Sequence, residues 1–345
     1  MSTRVFARVR LFLLGVALTT IYGVLDAYLF SVDDFDVAPN ILEQIGFSWF
    51  VGSVLFWGFE ILVVPSRWGE AIRRMHFVAA ILLKSLFLLV VIFAAAVLGD
   101  LVFRGTATLD VVLSPDRQFG RTVVLVFLFV VVFQVVLQVV RMVGARNFLN
   151  FVLGRYRQPV SEDRIFMFLD LAGSTTLAER LGDVGVQRLI TEFFFDISEP
   201  IAAHGGEIHQ YVGDEMVVTW RVRDGKLNRR VLHCCFAIAA RVREKADAYE
   251  RAFGVVPGYR IGLHAGSIVI SQCGDQKQEI SFFGDTINTA ARIQEQCKAF
   301  ACTLLLSREL LKRIDLPETL VARQVGTVTL RGRGHATDLF SVDPR

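Results

Sequence analysis

Charge is scarce in this chain: Asp, Glu, Lys and Arg make up 21% of 345 residues, against 53% hydrophobic. So oily a balance excludes a protein that is soluble along its whole length. The formal net charge is only +3 and no basic stripe appears, which excludes nucleic acid as an expected partner. The five cysteines (Cys234, Cys235, Cys273, Cys297 and Cys302) contain no CxxC pair, and two are adjacent. That spacing argues against a metal finger or disulfide framework and fits reduced thiols in the cytosol. No small-residue cleavage site follows the first apolar stretch, which argues against a cleaved signal peptide.

The apolar excess gathers in residues 1–143, at about 11–30, 47–64, 77–98 and 122–140. A crossing takes on the order of 20 residues, so an N-terminal four-helix transmembrane domain is expected in a lipid bilayer. Arg4, Arg8 and Arg10 precede the first stretch; Arg67, Arg73 and Arg74 follow the second; Arg141, Arg146, Arg155 and Arg157 follow the fourth. The loop after the first holds Asp33, Asp34, Asp36 and Glu43, while the loop after the third is less tidy, with Arg104, Arg117 and Arg121. The bias predicts a multi-pass protein of the inner (plasma) membrane, with both termini and the soluble part cytoplasmic. Asp26, Glu60, Lys84, Gln134 and Gln138 interrupt the apolar stretches and should face the bundle or the interface. Glu60 and Lys84 are a candidate pair, with snorkelling the alternative for Lys84.

Residues 144–162 read as a linker, either plain or an amphipathic segment around Phe148, Leu149, Phe151 and Val152, with Pro159 at its boundary. From 163 to 341 strand-like and helix-like runs alternate, predicting an α/β domain, an α+β sandwich with helices on one face. Asp170 falls near the end of the apolar run 165–171, and Asp214 lies in the turn YVGDEM. Carboxylates at a strand end and a glycine turn suit a hard divalent cation. The amides of Ala172, Gly173, Ser174 and Thr175, at a helix start, offer donors to phosphate oxygens. His209 and His264 lie in strand-like runs and are expected to be structural.

FLDLAGST, GGEIHQYVGDE, GLHAG and FFGDTINTAARI stand in the order found in class III nucleotidyl cyclases, which residues 163–341 resemble. The resemblance implies a head-to-tail homodimer that binds ATP at its interface and forms cyclic AMP and pyrophosphate. It implies two Mg²⁺ or Mn²⁺ ions per site, held by Asp170, Asp214 and the Leu171 carbonyl. It also implies that Asn288 orients the ribose and that Arg292 stabilises the transition state. Arg331 or Arg333 of RGRG is the implied further phosphate contact.

Gln210 stands where adenylyl cyclases commonly carry Lys, and Ser281 where many carry Asp. Gln210 can still donate to adenine and Ser281 can accept. The Glu and Cys common at these positions in guanylyl cyclases are absent, which favours ATP. The alternatives are a guanylate cyclase and a membrane receptor or scaffold with an inactive cyclase-like domain. The GGDEF turn expected of a diguanylate cyclase is missing.

Overall fold

The computed structural model describes residues 3–31, 40–64, 66, 68–104, 124, 127–128, 131–136, 138–140, 144–223, 228–276, 278–329 and 336–345. They form two compact units, Met1–Ala145 and Arg146–Arg345.

In the first unit, apolar runs without proline wind into α1 (Thr3–Ser31), α2 (Asn40–Gly58), the short α3 (Glu70–Arg74) and α4 (Phe77–Arg104). A π-helical turn, Phe59–Val63, continues α2 and buries Glu60 and Ile61. Lys84 Nζ donates to both Glu60 oxygens at 2.7 and 3.0 Å, and Gln134 Nε2 adds a bond at 3.3 Å. Glu60 and Lys84 therefore serve as each other's counter-charge, which a dry helix bundle demands. Among the described residues two stretches, Glu43–Val63 and Phe77–Phe103, are long and apolar enough to cross a membrane. That corrects the expected four. In α1 the apolar stretch among the described residues is Phe12–Leu25. The fourth expected span falls partly outside the described residues, and Val131–Val140 is a shorter apolar helix.

The second unit opens with α5 (Ala145–Val152) and β1 (Val160–Leu171), followed by α6 (Ser174–Ala203), β2 (Glu207–Val212) and β3 (Glu215–Arg221). Next come α7 (Arg230–Glu244), α8 (Ala246–Phe253), β4 (Tyr259–Cys273), β5 (Glu279–Phe283) and α9 (Asp285–Ala299). The chain ends with β6 (Leu304–Ser307), α10 (Arg308–Leu311), β7 (Leu320–Val328) and β8 (Thr337–Pro344). The strands form one sheet in the order β2-β3-β1-β4-β6-β8-β7, with β5 paired to the far end of β4. All pairings are antiparallel except β4 with β6.

The run Ile165–Leu169 is apolar at every position, the pattern of a strand covered on both faces. Ile165, Met167, Leu169 and Leu171 pack with Leu189, Phe193 and Ile197 of α6 and Ile238 of α7. Phe166 and Phe168 pack the other way, with Ile268, Ile270 and Ala290 of α9. Helices therefore cover both faces, not the one expected. The strand with no polar alternate before Asp170 carried that information.

Candidate active site

Strand alternation places Asp170 in the same row as Phe166 and Phe168, on the face covered by α9. At this end of β1 the apolar layer gives way to carboxylates. Asp170 pairs in register with Glu215 of β3 on one side and Arg260 of β4 on the other. Asp214 sits in the β2–β3 turn, made possible by Gly213 at φ 61°. The turn is tied to β1, since the Leu171 amide donates to the Asp214 carbonyl at 3.3 Å.

The electrostatics follow from this crowding. Burial, then the charge of Asp214 and a side-chain hydrogen bond to it, raise the Asp170 pKa to about 6. A hydrogen bond from Gln294 Nε2 to Asp170 Oδ2, at 3.2 Å, pulls the other way, as does the charge of Arg260. Glu215 rises to about 7, mainly through burial and then through Asp170, Asp214 and Glu295. Burial and these neighbouring charges thus favour the protonated forms of Asp170 and Glu215, which a cation beside them would reverse. Among the described residues no cluster of three or more His, Cys, Asp or Glu converges as a ready metal site.

Helix α9 reaches this position because β4 lacks side chains beneath it. A Cβ at Gly262 would lie 2.3 Å from the Gln294 amide nitrogen, and one at Gly266 would lie 2.5 Å from Thr286 Oγ1. The glycines of GLHAG therefore serve close packing. Thr286, Thr289, Ala290, Ile293, Gln294 and Cys297 make up the buried face of α9. Asn288 is exposed and Arg292 partly exposed, one turn apart on the opposite side. Arg292 lies 4.0 Å from Asp285, and its Nη1 is shielded from solvent without a hydrogen bond.

The other expected positions fall as follows. The Ala172 amide donates to the Gly258 carbonyl at 2.8 Å and so is not free to meet phosphate. Gly173, at φ 74°, turns β1 into α6, which starts at Ser174 and Thr175. Gln210 is exposed on β2, and Ser281 lies on β5 opposite Ser271. Arg331 and Arg333 lie outside the described residues. His264 is buried against Ser307 Oγ at 2.8 Å, and the His209 ring rests 4.2 Å from that of Phe282.

Glu215 and Gln294 are additions that sequence reading missed. Glu215 adjoins Asp214, so its cross-strand position against Asp170 was within reach of hairpin pairing. Gln294 carried no signal, because only the seating of α9 on Gly262 brings it to Asp170.

This sheet, with two carboxyl groups at the joint of its central strand and hairpin, is the fold of a class III nucleotidyl cyclase. The sequence model of the adenylate and guanylate cyclase catalytic domain matches residues 157–341, and the chain belongs to that family. It is 38% identical over 207 residues to Adenylate cyclase 2 of Rhizobium meliloti (strain 1021), covering 60% of this chain and 57% of that protein. To Adenylate cyclase 1 of the same strain it is 29% identical over 181 residues, covering 51% and 27%. The match thus spans little more than half of one relative and about a quarter of the other. A solved bacterial light-regulated adenylyl cyclase shares the fold, with a TM-score of 0.53 at 20% identity, over 62% of this chain and 64% of that one.

Proposed function

We propose that this protein is a membrane-anchored adenylate cyclase that converts ATP to 3′,5′-cyclic AMP and pyrophosphate at the interface of a head-to-tail homodimer. The observation that carries the reading is the meeting of Asp170 and Asp214, with Gln294 bonded to Asp170. The raised pKa of Asp170 and Glu215, from burial and then from neighbouring carboxylates, supports a site for Mg²⁺ or Mn²⁺, two of which the resemblance implies. Asp170, Asp214 and the Leu171 carbonyl would hold them. When bound, they supply acidification of the ribose 3′-hydroxyl and neutralisation of phosphate charge.

The rest falls to the chain. Asn288 and Arg292 lie on the face of α9 away from the Gln294 that bonds Asp170, which supports a site shared between two copies. In a head-to-tail pair, Asn288 of the partner subunit orients the ribose. Arg292 of the partner subunit directs its donors at the α-phosphate, where charge builds as the 3′-oxygen attacks and pyrophosphate leaves. Gly173, Ser174 and Thr175 at the start of α6 face the phosphates. Gln210 and Ser281 meet the adenine edge, and Arg331 or Arg333 adds a further phosphate contact. The apolar helices hold the enzyme in the inner membrane with its catalytic unit on the cytoplasmic side. The relatives named adenylate cyclase favour ATP over GTP.

The test is a product assay on the full chain, given ATP and GTP separately with Mg²⁺ or Mn²⁺. Cyclic AMP from ATP is expected. Pyrophosphate release without a cyclic product would refute the reaction, and faster turnover of GTP would reassign the substrate. Mixing Asp170→Ala and Arg292→Ala chains is expected to restore one intact site per heterodimer; an inactive mixture of proven heterodimers would refute the shared site.

A further inference from the structure

Strand β2 breaks its own alternation. Ile208 pairs with Val218 and Gln210 with Val217, so His209 is an extra residue, a β-bulge. The effect shows in the packing. Ile208 rests on the core beneath α6, and the Tyr211 ring lies 5.2 Å from Phe194 of the same helix. Residues three apart on a regular strand would face opposite ways. Here both face α6, and His209 and Gln210 between them turn to the other side.

On that side His209 meets Phe282 of β5, ring centroids 4.2 Å apart and planes inclined by 33°. Phe282 is held in turn by Phe166, edge-on at 5.5 Å, and by the Arg164 guanidinium at 5.7 Å. Burial lowers the His209 pKa, which favours the neutral ring that suits this stack. Strand β2 pairs with β3 and β5 with β4, so the ring contact bridges two strands that no ladder joins. Those strands carry Gln210 and Ser281, each the immediate neighbour of a stacked residue.

We propose that His209 is a positioning residue for base recognition: seated on Phe282, it fixes the face Gln210 presents and its spacing from Ser281. The proposal rests on the reading that Gln210 and Ser281 meet the base. Steady-state rates of the full chain, with ATP and with GTP, test it. His209→Ala is expected to raise KM for ATP roughly three- to tenfold and narrow the preference for ATP, with kcat within about twofold of the parent. His209→Phe keeps a flat ring against Phe282 and is expected to restore KM. Phe282→Leu keeps apolar volume without the ring and is expected to reproduce the KM rise.

Gln210→Ala, assayed alongside, separates the two ideas. If it raises KM while His209→Ala changes neither KM nor preference, the positioning role is overturned and base recognition by Gln210 stands. If Gln210→Ala changes neither, the base reading falls and the proposal falls with it. A loss of kcat at constant KM in His209→Ala overturns the proposal, as does a folded His209→Phe that fails to rescue. Unchanged kinetics in Phe282→Leu count against it equally.

Discussion

Glu60 and Lys84 meet at 2.7 Å inside the first unit, both almost fully buried, and their charges cancel. At the end of β1, by contrast, Asp170, Asp214 and Glu215 are gathered with like charge, and Gln294 and Arg260 offset only part of the cost. A buried pair that cancels steadies a fold or fixes its register. A buried cluster that does not cancel is relieved by a ligand of opposite charge, and such clusters gather at functional sites.

Substitution separates the two cases. Asp170→Asn and Asp214→Asn each relieve repulsion, so the unfolding temperature should hold or rise while cyclisation falls on the order of a thousandfold or more. Thermal unfolding beside a cyclic-nucleotide assay reads both; a variant that loses stability along with activity would erase the contrast. Lys84→Ala should do the reverse, leaving the buried Glu60 carboxylate without its counter-charge at a cost of about 3–5 kcal/mol. Its folded fraction should keep the parent kcat, and unfolding in detergent with rates normalised to folded protein measures this.

Gly262→Ala sharpens the comparison from within the catalytic unit. The added methyl meets α9 backbone and should cost about 1–3 kcal/mol, with activity falling because Asn288, Arg292 and Gln294 all ride on that helix. Gln294→Leu should have the smallest effect, raising the metal concentration for half-maximal rate roughly tenfold with little change in unfolding temperature. A titration with Mg²⁺ and Mn²⁺ checks it.

Much of the catalytic unit was legible from residues alone. Strand β1, the β2–β3 hairpin and the start of α9 lie where the runs 165–171, 206–220 and INTAAR put them, because each is local pattern. What local pattern did not carry was cover. The second helical face, Glu215 beside Asp170 and Gln294 against it all depend on strands far apart in sequence. The span count differs too, since among the described residues α1 offers an apolar stretch only at Phe12–Leu25.

At Gly262 and Gly266 α9 comes down close on the β4 backbone, where no side chain would let it slide or roll. Helix and sheet must therefore travel as one block. Asn288, Arg292 and Gln294 on α9 thus keep their register against β4.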